Sequence, residues 1–170
     1  AKRYPGMQST NHFLDTLPAN TRALIEGDLQ RVSLKRNATL AEVGRTVDVV
    51  LLPTNSIISV ITVMANGDQV ESRTIGRESG FGLLHALGSR YAFERVIVQV
   101  GGEAWQIRTE VLRRAAAASP ELSDAIVRHA QATIVQTTQT NACNTMHQAP
   151  PRLARWLLMT QDRLGGDAVV

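Results

Sequence analysis

The sequence predicts a mainly β fold, an antiparallel barrel or sandwich, continued by a long helix. Three observations carry this. β-rich runs separated by closely spaced turn signals fill the chain up to about Ile107. An Asn-Gly pair joins two alternating runs in "SIISVITVMANGDQVESRTI", and no glycine occurs between Glu110 and Leu164, where Ala, Gln, Thr and Leu dominate. Strands first and helices second imply one β domain with a helical extension, not alternating βαβ units. With 170 residues, 44% of them hydrophobic, the chain is long enough to bury one core.

The elements follow in order. In "FLDTLPANTRALIEGDLQ", Leu14, Leu17, Leu24 and Ile25 fall at near-helical spacings. A break at Pro18 and a stop at Gly27 make this one or two short helices. Strands fit 30–34, 39–42, 48–52, 93–100 and 104–107, punctuated by Gly44, Pro53-Thr54-Asn55 and Gly101-Gly102. The central hairpin carries the firmest local signal. Asn66-Gly67 is the pair that a two-residue type I′ turn requires, because both central positions need positive φ. That register sets Val63 opposite Val70, Ile61 opposite Ser72 and Ser59 opposite Thr74 on one face. Thr62 then meets Glu71 and Val60 meets Arg73 on the other, so the charged positions share a wet outer face.

The helical part marks its own starts. Thr109 stands as an N-cap before "EVLRRAAAA", and Ser119-Pro120-Glu121 combines an N-cap, Pro at the first helical position and an acid in the first turn. A helix from Pro120 to about His147 would run about 40 Å, longer than a small barrel needs for its own cover. Leu122, Ile126, Ala130 and Ile134 step by fours along one stripe that continues into Thr137, Asn141 and Asn144. Small and polar positions on such a seam suit close helix–helix approach in a fixed register, so homodimerisation through this helix is expected. The alternative is that the first half packs on its own domain and the second half is solvated. Pro150-Pro151 interrupts the helix and can start another, with Leu153, Trp156, Leu157 and Leu164 on one face and Gly165-Gly166 closing it.

Composition excludes several functions. Cys143 is the single cysteine, which rules out an internal disulfide and a thiolate cluster within one chain. His12, His85, His129 and His147 show no paired spacing, so a cupin-type metal enzyme is not supported, and no Ser/His/Asp or Cys/His set can be assembled. No stretch has the length of a membrane span and the first residues lack the apolar run of a signal peptide, so a soluble cytoplasmic protein is expected. The net charge of +3 would suit a partner carrying phosphate without demonstrating one.

Three strings, "VVLLPTNSIISVITVMANGDQVESRTIGRESGFG", "RVIVQVGGEAWQI" and "CNTMHQAPPRLARWLLMTQDRLGGD", in this order and spacing, resemble the Crp/Fnr family of bacterial transcription regulators. The resemblance implies a cyclic-nucleotide-binding-type, jelly-roll-like sensor domain over 11–118, a dimerisation helix over 119–148 and a connector helix over 150–167. That connector would lead toward a winged helix-turn-helix absent from these residues. DNA, reached through that domain, and RNA polymerase are the implied partners, no catalysis is implied, and a small-molecule effector is possible.

In that family a turn after a glycine offers backbone N–H groups to a cyclic phosphate, an acid takes the ribose hydroxyl, and an Arg followed by Ser or Thr completes the cradle. Gly82 matches the glycine and Arg95 the arginine, but Leu83 stands in the place of the acid and Val96 in the place of the hydroxyl residue. Leaving those ligand groups unpaired would cost about 1–3 kcal/mol each, so cyclic AMP in the usual pose is disfavoured. The resemblance thus implies a pocket of Gly82, Leu83, Leu84, Arg95 and Val96 that takes a less polar effector or none. Arg95 has an alternative as an ion-pair partner of Glu78 or Glu94. A haem-binding variant is known in the family and His85 lies in the loop, but no cofactor is expected. A stand-alone interaction module is the competing function.

Overall fold

The computed structural model describes residues 11–164. Two short helices, α1 (His12–Thr16) and α2 (Ala19–Glu26), precede seven strands: β1 (Gln30–Leu34), β2 (Thr39–Ala41), β3 (Val49–Pro53), β4 (Ile57–Val63), β5 (Gln69–Ile75), β6 (Arg95–Val100) and β7 (Gly102–Arg108). A 3₁₀ turn, Leu83–Ala86, lies between β5 and β6, and three helices follow: α3 (Thr109–Ala118), α4 (Pro120–Met146) and α5 (Ala149–Leu164). The strands form two antiparallel sheets, ordered β1-β7-β3 and β2-β6-β4-β5. The expected jelly-roll-like architecture is present, with facing sheets in place of a closed barrel.

Two apolar clusters hold these layers. Between the sheets lie Leu34, Leu51, Ile58, Val60, Val96 and Val98. On the far side of the three-stranded sheet, Val50, Leu52 and Ile107 pack against Leu14 and Ile25 of the first helices and Leu112, Leu122 and Ile126 of the later ones. Strand β3 is therefore covered on both faces, which explains its unbroken apolar run "VVLLP". Each of these side chains contributes about 1.5–3 kcal/mol by leaving water.

The hairpin departs from the type I′ expectation. The Met64 N–H bonds the Asp68 carbonyl at 2.8 Å and the Gly67 N–H bonds the Met64 carbonyl at 2.9 Å, enclosing three loop residues. Only Gly67, at φ +90°, is left-handed in this loop, so it is a three-residue turn closed by a glycine bulge. Near the turn Val63 therefore faces Gln69 and Ile61 faces Glu71. A second irregularity, between Val60 and Ile61, restores the expected pairs Val60–Arg73 and Ser59–Thr74. The extra residue at Ser72 places Glu71 and Arg73 on opposite faces of the sheet. Val60 is fully buried between the sheets, so its partner Arg73 points inward, contrary to the outer face expected for it.

The helices carry two further corrections. Thr109 is the first helical residue and not the cap; its hydroxyl donates to the Val47 carbonyl at 2.8 Å and ties α3 to the loop before β3. The start of α4 is as expected, with Ser119 Oγ accepting from the Leu122 N–H at 3.3 Å behind Pro120. Helix α5 docks with a polar side inward. Thr160 and Arg163 are buried, whereas Leu153 is 57% exposed and Leu157 40%. The reason is Gly76: a Cβ there would lie 2.6–2.7 Å from carbons of the Arg163 side chain, so only glycine leaves room for it. Arg163 then reaches Glu78 at 2.8 Å and the Thr74 hydroxyl at 2.5 Å. Gly165-Gly166, expected to close this helix, lie outside the described residues.

Candidate functional site

A cavity of about 700 Å³ opens where the 3₁₀ turn, the inner face of the four-stranded sheet and the middle of α4 meet. Gly82, at φ +88°, starts the turn, and the His85 N–H closes it on the Gly82 carbonyl at 3.0 Å. The conformation is one that glycine adopts without strain. Leu83 swings into the helix-covered core at 2% exposure, while Leu84 stays half exposed at the cavity.

Four of the five expected pocket residues, Gly82, Leu83, Leu84 and Val96, line this cavity. Arg95 does not. Strand alternation puts Val96 inside and Arg95 outside, where its Nε lies 3.0 Å from Glu42 Oε2. Its ion-pair partner is thus Glu42 on the loop after β2, and not Glu78 or Glu94. The cation at the cavity is Arg73, from β5, with Glu94 at 3.5 Å. The Ser72 hydroxyl lies 3.1 Å from both Glu94 Oε1 and the Val60 carbonyl, so one proton serves two acceptors. Arg73 was missed because the expected register put it on one face with Glu71, which reads as wet; its pairing with Val60 is as expected, but Glu71 lies on the other face and the Val60 face is the buried one. A signal for it exists, since Arg73 shares parity with Ile75, which is buried.

Two histidines border the cavity. His85 stacks on Phe93 at 6.5 Å and tilts against Phe81 at 6.1 Å. Neither of its ring nitrogens makes a well-formed hydrogen bond. His129, on α4, pairs through Nε2 with Ser79 Oγ at 3.0 Å and meets Phe13 edge-on. Burial lowers both imidazoles below the usual histidine value, offset in part for His85 by the Tyr91 backbone and for His129 by Glu78. The folded state therefore prefers neutral rings, and the unfolded chain takes up protons first as pH falls. Stability is expected to be complete above about pH 6.5 and to fall as pH drops through the window below it. A melting series from about pH 7.5 to 5 checks this, and His129→Gln should flatten the profile.

The expected dimer stripe divides in two. Leu122 and Ile126 are fully buried in the chain's own core, and Ala130 is 9% exposed at the cavity wall, so these three cannot meet a partner helix as placed. Ile134 is 64% exposed, Thr137 is partly exposed at the cavity rim, and Asn141 is exposed. Among the described residues no cluster of His, Cys, Asp or Glu could hold a metal ion, and no helix is long and apolar enough to cross a membrane.

No family model matches the chain, and no curated protein matches it in sequence. Solved structures match it in fold. A transcriptional regulator of the crp/fnr family from Eubacterium rectale superposes with a TM-score of 0.69 at 12% identity, covering 93% of this chain and 74% of that one. The c-di-GMP-responsive global regulator CLP of Xanthomonas campestris gives 0.65 at 15% identity, covering 83% and 71%. A cyclic nucleotide-binding domain from Methylobacillus flagellatus gives 0.56 at 14% identity, covering 91% and 76%. The fold is that of the cyclic-nucleotide-binding domains, which the matched regulators share.

Proposed function

We propose that this chain is the sensor and dimerisation portion of a Crp/Fnr-type, DNA-binding transcription regulator, without catalytic activity, whose pocket has lost the groups that hold a cyclic nucleotide. The fold and the order of sheet domain, long helix and connector helix support the regulator reading. The disposition of Arg95 and Leu83 carries the pocket reading. Arg95 faces outward to Glu42, and Leu83 fills the core where an acid would meet a ribose. A cyclic phosphate in the usual position would find backbone N–H groups without Arg95, and the arginine that does line the cavity, Arg73, is paired with Glu94.

The cavity that remains is walled mainly by Phe81, His85, Phe93, Val96 and Ile134, with Arg73 and Glu94 as the charged pair. Such a wall fits a less polar effector that has one polar end. It touches the 3₁₀ turn on one side and α4 on the other, so an occupant that fits one relative placement of these elements better biases their equilibrium. Through a second copy of α4, running from Ile134 toward Asn141, that bias would reach two DNA-binding domains and, from them, RNA polymerase. Calorimetric titration tests the pocket: cyclic AMP and cyclic GMP should give no binding in the micromolar range. Sub-micromolar binding of either would overturn the degenerate pocket.

A further inference from the structure

Helix α5 folds back on α4 and β5 and encloses a second cavity of about 80 Å³, separate from the large one in its lining except for Arg73. Arg152, Arg155, Met159 and Arg163 fall at three- to four-residue steps along one side of α5, and Arg73 approaches from the strand. Among the residues that line the cavity one carboxylate, Glu71, accompanies these four guanidinium groups, and it already accepts from Ser59 and Gln99. Arg73 has Glu94 and Arg163 has Glu78, but no carboxylate among the described residues lies within ion-pair distance of Arg152 or Arg155.

Arg155 shows the imbalance best. It donates through Nη2 to the Thr140 hydroxyl at 3.1 Å and through Nη1 to the Cys143 sulfur at 3.5 Å, the latter a weak acceptor, and its Nε is buried without a partner. A half-buried guanidinium held only by neutral groups has lost hydration without gaining a counter-charge. Its planar fork is the geometry that recognises the paired oxygens of a phosphate. Thr74 and Asn144 on the same walls carry further donors, whereas the Ser72 proton is committed to the Val60 carbonyl and Glu94. The volume exceeds that of one or two waters and excludes a nucleoside.

We infer that this elbow between α4, α5 and β5 is an oxyanion site, which takes inorganic phosphate or the terminal phosphate of a monoester whose remainder projects into solvent. Its lining meets that of the large cavity only at Arg73. The test is titration of the 170-residue chain with sodium phosphate at constant ionic strength, chloride being the balancing anion, followed by calorimetry and by the fluorescence of Trp156, which lines the site. A saturable change with phosphate and none with chloride is expected, with Arg155→Gln weakening it about tenfold or more, the loss of one charge-assisted contact. Arg155→Lys, which keeps the charge and loses the fork, should fall between the two. A parallel titration with a nucleoside monophosphate separates the sources: tighter binding of the ester assigns the site to monoesters, and equal or weaker binding assigns it to free phosphate. No saturable response to phosphate or to the monoester, or affinities that are the same in Arg155→Gln and the parent, would overturn the site. Far-UV circular dichroism establishes that each variant is folded, and the parent titration stands on its own if Arg155→Gln is not.

Discussion

Replacing Ile126 by aspartate is expected to leave no cooperatively folded protein at room temperature. Ile126 is fully buried against Leu14, Ile25 and Leu122 in the cluster that joins the helices to the three-stranded sheet. Removing its aliphatic side chain alone would cost about 2–5 kcal/mol. Burying a carboxylate there with no partner adds several more, which together matches the whole stability of a typical domain. Denaturant unfolding and far-UV circular dichroism check this, and a cooperative transition close to that of the parent would show that α4 is not anchored as described. Ile134→Lys, two turns along the same stripe, makes the contrast. That side chain is 64% exposed, so the fold should survive, and light scattering should report a monomer. An unchanged dimer would refute the seam.

Gly82→Val should destabilise the chain by about 2–4 kcal/mol and loosen the cavity mouth. Two effects act together. The backbone sits at φ +88°, where a β-branched residue is strained, and a Cβ would meet the Val49 carbonyl oxygen at 3.0 Å and Val50 Cα at 3.2 Å. Neither neighbour is a flexible chain end. The turn must therefore shift away from β3, carrying His85 off its aromatic neighbours. Thermal unfolding measures the first effect; the His85 titration seen by NMR measures the second and should move up toward the free histidine value as burial is lost. A loss of under about 0.5 kcal/mol with an unmoved titration would refute the tight turn.

Much of the fold was legible because its signals are local. Ser119-Pro120 starts α4 by its own backbone and side-chain chemistry, α2 stops at Gly27 although that residue keeps a right-handed conformation, and β1 runs over the residues expected for it. The hairpin shows where such reading stops. Asn-Gly fits both a two-residue and a three-residue loop, and the difference of one residue decides which side chains face inward. The bulge at Ser72 that follows is fixed by pairing with β4, which no local pattern encodes; it takes Glu71 off the face of Arg73, and without it the two charges together marked that face as wet. For the cavity, the turn glycine and the apolar replacements at Leu83 and Val96 could be read directly. Arg95 looked like a pocket cation because its chain position suits one, whereas its direction follows from the pleat of β6. Helix α5 was legible as a helix but not in its orientation. Its docking depends on Gly76, some eighty residues away, having no side chain.

Strand β5 has a consequence that reaches beyond either cavity. It lies at the open edge of its sheet, with the large cavity on one side and the elbow on the other, and Arg73 belongs to the rim of both. It is the wall that the two chambers share. Were an occupant to bow the strand toward α5, one chamber would widen at the expense of the other, and the two occupancies would then oppose each other. Thermodynamic reciprocity then fixes the size of the effect in both directions: whatever factor a large-cavity occupant subtracts from phosphate affinity, phosphate subtracts from the affinity of that occupant.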